Sequence, residues 1–105
     1  DNIGAQIGIL GRRVAISGCS VHNGPAHGIV LETPAGNPFG GVPIDCAITG
    51  CVVEGHNGAA KVGILEINSG GGNPDFNCIV GNVVRNNTVA ITTVGVNTIV
   101  ASNRV

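Results

Sequence analysis

Residues 46–67, CAITGCVVEGHNGAAKVGILEI, decide the fold, because the text on either side repeats them. Upstream, residues 14–33 read VAISGCSVHNGPAHGIVLET; downstream, residues 77–95 read NCIVGNVVRNNTVAITTVG, and TIVASNRV at 98–105 opens a fourth copy. Superposing the copies on their small-residue turn places Ile16, Ile48, Ile79 and Val100 in one column and Val21, Val53, Val84 and Val105 in another. Between the columns stand Gly18-Cys19, Gly50-Cys51, Gly81-Asn82 and Ser102-Asn103. Successive first-column residues lie 32, 31 and 21 positions apart, so 21 is the bare repeat and the longer steps carry inserted loops. A period of this size marks repeats that stack on one another.

Within each copy, apolar residues alternate with small or polar ones for only a few positions before Gly, Asn or Pro interrupts. That is the period of a strand, not of a helix. The pattern predicts three short strands per copy and no helix to cover them. Each strand must then pair with its counterpart in the next copy, which gives parallel sheets wound into a solenoid. Gly and Asn in the turn column suit a left-handed backbone bend, and stacked Asn side chains can hydrogen-bond along the column. Cys19 and Cys51 replace Asn in the first two copies and weaken the column there.

The pattern I-x-G-N-x-V-x-x-N, followed by G-I-x-L, resembles the repeat of right-handed parallel β-helix proteins of the pectate-lyase-like superfamily. The resemblance covers about residues 14–105. It implies an all-β fold, a right-handed parallel β-helix (solenoid) of about four coils with open ends. It also implies carbohydrate-active or phage tailspike relatives, an extracellular or virion location and a polysaccharide partner. It assigns no catalytic set: Asp1, Asp45 and Asp75 are the only aspartates, and none stands in the matching strand. Any enzyme activity would be that of a polysaccharide hydrolase or lyase.

The 105 residues make one domain, read here as a module of a larger protein or assembly. With two Phe and no Met, Trp or Tyr, the core is Val, Ile, Leu and Ala, which suits the narrow inside of a solenoid. Charged residues are 10% and the net charge is −1, so nothing marks a nucleic-acid surface, and no apolar run is long enough to span a membrane. Open solenoid ends expose apolar interior and unpaired backbone, so flanking chain or a homo-oligomer partner is expected to cover them.

The candidate site lies on the strands 28–33 and 63–68 and the loops that follow them. Aligning Leu31-Glu32 with Leu65-Glu66 sends both glutamates outward on adjacent coils, about 5 Å apart at the spacing of neighbouring strands. Three readings follow: a solvated ladder, a catalytic pair of the retaining-glycosidase kind, or a seat for a divalent cation such as calcium. The loops share Gly-Asn-Pro followed by Phe, so Asn37, Phe39, Asn73 and Phe76 either cover the sheet edge or form an aromatic wall for a sugar ring. His27 and Lys61 border the same groove, with His22, His27 and His56 expected as surface residues. Cys46, Cys51 and His56 are five apart, too far for a zinc set on rigid strands, and the cysteines are read as free thiols. Asn86-Asn87-Thr88 is an N-glycosylation triplet. Two functions compete: a carbohydrate-contacting module without assigned catalysis, and a purely structural self-associating solenoid.

Overall fold

A computed structural model describes residues 4–36 and 41–105. All its regular elements are strands: β1 (Ala5–Ile9), β2 (Ala15–Ser17), β3 (Ser20–His22), β4 (His27–Thr33), β5 (Ala47–Thr49), β6 (Val52–Glu54), β7 (Val62–Asn68), β8 (Cys78–Val80), β9 (Val83–Arg85), β10 (Val89–Thr92) and β11 (Ile99–Ala101). They form three sheets in which every pairing is parallel, ordered β1-β4-β7-β10, β2-β5-β8-β11 and β3-β6-β9. The chain visits the three sheets in turn and returns one layer higher each time. This topology is compatible with a β-solenoid.

The columns expected from the repeat are formed. Ile16 pairs with Ile48, Ile48 with Ile79 and Ile79 with Val100; Val21 pairs with Val53 and Val53 with Val84. Ile48, Ile79, Val21, Val53 and Val84 of these columns form one central apolar cluster with Ile9, Ile29, Leu31, Ile64, Cys46 and Cys51, and Ile16 packs against it. Each full burial of such a side chain stabilises the fold by about 1.5–3 kcal/mol, which short strands could not supply singly.

The corners carry the left-handed residues and the hydrogen-bonded Asn column that the turns led one to expect. The left-handed residues are Gly18, Gly50, Gly81 and Ser102 at the second corner, Arg13, Asp45 and Phe76 at the first, and Asn23, Gly55 and Asn86 at the third, each one position before the residue that faces inward. Where that residue is Asn, its side chain bridges layers. Asn77 Oδ1 accepts the Cys46 amide at 2.9 Å while its Nδ2 donates to the Pro43 carbonyl at 3.1 Å. Asn82 does the same with the Cys51 amide and the Ile48 carbonyl. Asn87 serves His56 and Val53, and Asn103 serves Asn82 and Ile79. In each case one carboxamide takes an amide from the layer beneath and gives a proton to the carbonyl three residues earlier. Bends that would otherwise bury orphaned backbone groups are thereby satisfied.

The cysteines are partial substitutes. Cys46 Sγ donates to the Gly11 carbonyl at 3.3 Å and Cys51 Sγ to the Ile16 carbonyl at 3.8 Å, the carbonyls an Asn would reach. Burial, the largest cause, pushes the Cys51 thiol above its ordinary value, so the sulfur keeps the proton it donates. A thiol does not offer the carboxamide oxygen that would receive the amide below. All four cysteines are free. Two substitutions test the device by chemical denaturation. Asn82→Ala, which orphans a buried amide and a carbonyl, should lower the unfolding free energy by at least about 2 kcal/mol. Cys51→Asn, which completes the column, should raise it by about 1 kcal/mol.

Candidate functional site

The register of the longest strands corrects the expected pair of glutamates. Ile29 pairs with Ile64 and Val30 with Leu65, so Leu31 lies beside Glu66 and Glu32 beside Ile67. Glu32 and Glu66 therefore sit at neighbouring strand positions one step apart, on opposite faces of the sheet, and no paired carboxylate is formed. The shared Gly-Ile dipeptides, 28–29 and 63–64, set the register rather than the shared Leu-Glu. The reason is steric. A Cβ on Gly28 would lie 2.7 Å from Val53 Cγ1, and one on Gly63 would lie 2.8 Å from Val84 Cγ1 and from Asn87 Nδ2. Both glycines face inward and leave room for the polar third corner, where His56 Nδ1 stands 2.7 Å from Asn87 Oδ1 and Nε2 stands 2.6 Å from Gln6 Oε1.

Neither glutamate faces solvent: Glu32 is 1% exposed and Glu66 0%. Glu66 points inward and accepts from the Val94 and Gly95 amides (3.1 and 3.0 Å), Asn77 Nδ2 (2.8 Å) and Thr98 Oγ1 (2.6 Å). It ties the turn 93–98 to the first corner. Glu32 accepts from Ser69 Oγ at 2.9 Å. Around it, the outer face of the sheet is a small buried cluster of Val30, Val62 and Leu65, with Ala5 and Ile67 packed against it. The expected open groove lined by acids is instead largely closed and apolar.

The histidine expectation also changes. His22 is exposed, but His27 and His56 are buried. His27 Nδ1 accepts the Val62 amide at 2.9 Å, which places the ring proton on Nε2. Burial, then the charges of Lys61 and His56, hold its pKa below the ordinary value. Lys61 is half-buried, with its backbone carbonyl receiving the Val89 amide. His27 and Lys61 thus lie near one another, His27 committed to the strand pairing.

Of the loop residues, Asn37 and Phe39 lie outside the described residues. Asn73 is exposed, and its Oδ1 accepts from Asn68 Nδ2 at 3.2 Å. Asn68 Oδ1 gathers the amides of Gly70, Gly71 and Gly72, so the glycine run wraps around a side-chain oxygen. Phe76 is 57% exposed on a left-handed backbone (φ 55°). It follows Asp75, which bridges to Ile44, so its counterpart one layer down is Asp45. Asp75 would be raised by burial alone. Hydrogen bonds from the Asn97 side chain and amide and the Phe76 amide outweigh this and hold its carboxyl below the usual range.

Among the described residues, no three His, Cys, Asp or Glu side chains are grouped to hold a metal ion, and no helix is long and apolar enough to cross a membrane. No known protein family, curated protein or solved structure matches this chain.

Two outcomes follow from these contacts. Glu66→Gln turns a donor toward groups that already donate and should lower the unfolding free energy by about 3 kcal/mol, read from urea melts. His27 gives a pH dependence. Below the ordinary histidine value of about 6.5 the unfolded chain binds the proton before the folded chain does, so stability is complete above that pH and declines as the pH falls toward the depressed folded value. His27→Asn, which keeps an acceptor for the Val62 amide, should flatten this part of a stability-versus-pH curve.

Proposed function

We propose that the chain is a structural solenoid module, a right-handed parallel β-helix of about four coils whose work is rigidity and association with further copies or coils. The observation that carries this reading is the fate of the reactive side chains. Glu32, Glu66, His27 and His56 are all buried, each engaged in a hydrogen bond within the fold. Right-handedness is supported by the strong preference of parallel crossovers, about 98% of which take that hand. A charged fraction of only 10% fits an extracellular or virion part better than a cytosolic domain.

One feature supports a second reading, in which the module contacts carbohydrate. Phe76 holds a bulky side chain in the left-handed region, a conformation that costs about 1–2 kcal/mol outside glycine, and leaves it exposed. Strain kept on an exposed aromatic ring motivates a binding role. Asn73 would be its polar neighbour on the loop side, with a polysaccharide as the partner, while Lys61 lies at the other end of β7 and takes no part. A glycan panel with wild type and Phe76→Asn separates the readings. Under the structural reading no glycan is bound or cleaved, and Phe76→Asn gains about 1 kcal/mol. Binding by wild type that the variant loses, despite its greater stability, establishes the second reading. Cleavage of any glycan contradicts the structural one.

A further inference from the structure

The loop between β6 and β7 carries the pair Asn57-Gly58, and the chain holds one other Asn-Gly, at Asn23-Gly24. An Asn followed by Gly is open to attack on its side-chain amide by the next backbone nitrogen, because glycine has no side chain to hinder the approach. The two pairs stand in contrasting surroundings. Asn23 sits at the third corner in the left-handed region (φ 60°), and its backbone amide donates to the Glu54 carbonyl at 3.0 Å. Gly24 is buried beneath the Gln6 side chain, where an added Cβ would lie 2.8 Å from Gln6 Cδ. Asn57 is exposed and outside the strands, and among the described residues no hydrogen bond engages its carboxamide or the Gly58 amide. Only its flanks are fixed: Thr88 donates its amide to the His56 carbonyl at 3.0 Å and its hydroxyl to the Gly58 carbonyl at 2.8 Å. Packing requires glycine at 58, since a Cβ there would lie 2.8 Å from the Pro25 carbonyl oxygen and from Lys61 Cγ.

We propose that Asn57 is a site of spontaneous deamidation whose isoaspartyl product loosens this loop from Thr88. The Gly58 nitrogen gives up its proton and attacks Asn57 Cγ; the Cγ–Nδ2 bond breaks, ammonia leaves, and a succinimide ring closes. Water then opens the ring. Cleavage between Cγ and the Gly58 nitrogen gives aspartate, and cleavage between the main-chain carbonyl carbon and that nitrogen gives isoaspartate. No electrons change hands, and water is the only co-reactant. The isoaspartyl product routes the main chain through Cβ and Cγ, one atom longer between the His56 and Gly58 carbonyls. Thr88 grips both carbonyls, so the longer link pulls one of them away. The aspartyl product leaves the main chain unaltered and keeps both bonds. Asn23 escapes because ring closure needs its peptide to swing, which the bond to Glu54 and the overlying Gln6 oppose. Asn68, followed by Ser69, is also shielded: its Oδ1 holds three glycine amides, and the Ser69 amide donates to the Thr33 carbonyl.

Peptide mapping by mass spectrometry during incubation in mildly alkaline buffer tests this, on the folded protein and on the same protein in urea. In the folded protein Asn57 should convert at least tenfold faster than Asn23; in urea, with the fold gone, the two should convert at similar rates. Asn57→Gln, whose longer side chain closes the ring far more slowly, should remove the fast change while circular dichroism shows the fold intact. Folded Asn57 converting no faster than Asn23, or a fast change that survives in Asn57→Gln, overturns the site. The consequence is read from the isoaspartyl form, separated by ion exchange, through amide exchange at Thr88 and Lys61, which donate to the His56 and Gly58 carbonyls. Exchange at one of them should be at least tenfold faster than in Asn57→Asp. Equal rates at both overturn the loosening while leaving the site.

Discussion

A side-chain amide that spans two layers is the interaction on which the rest of this structure depends. Parallel strands of three residues have too few ladder bonds to hold a register, and the bends between them would leave amides and carbonyls buried and unpaired. Asn77, Asn82, Asn87 and Asn103 solve both problems with one group, since the oxygen and the nitrogen of a carboxamide are spaced to meet an amide and a carbonyl of the turn below. Shifting a layer by one residue would break the bridge at every corner and turn the Ile and Val columns outward. Register and burial therefore enforce one another.

The same economy explains why so few polar groups are left for chemistry. Ile, Val and Leu side chains fill the space between the three parallel sheets, and polar side chains among them serve as internal acceptors. Glu66 stands in the column of Leu31 and fastens the last turn, and His27 receives an amide of the neighbouring strand. Removing one partner from such a contact strands the other in a low-dielectric interior, which is why these residues bear on stability first. Among the described residues, Phe76 and Val96 are two of the large apolar side chains that stay exposed.

How much of this could be read from the residues divides along physical lines. The columns Ile16–Val100 and Val21–Val84 were legible because alternation of apolar residues about a small turn repeats at a regular step. The three parallel sheets follow from them, for want of any helix to cover the strands. The glutamates were not legible in place. Leu31-Glu32 and Leu65-Glu66 look alike, yet the register is decided by where a Cβ is sterically forbidden, at Gly28 and Gly63, a constraint that the corner residues His56 and Asn87 impose from the layer above. The burial of His27 and His56 was hidden for the same reason, since polarity alone does not tell a surface ring from one that accepts an amide inside the stack. The turn column was legible in both its parts, left-handed Gly and Asn at the bends and Asn side chains bonded along the column; what it did not reveal is that each carboxamide also reaches a carbonyl of the layer beneath.

Amide hydrogen exchange followed by NMR tests the central claim most directly. If the corner carboxamides hold the layers together, the amides of Cys46, Cys51, His56 and Asn82, none of which is in a strand, exchange as slowly as those of Ile48 and Val53 inside the sheets. Exchange of these four at the rate of the exposed loop amides Gly70 to Gly72 would contradict it.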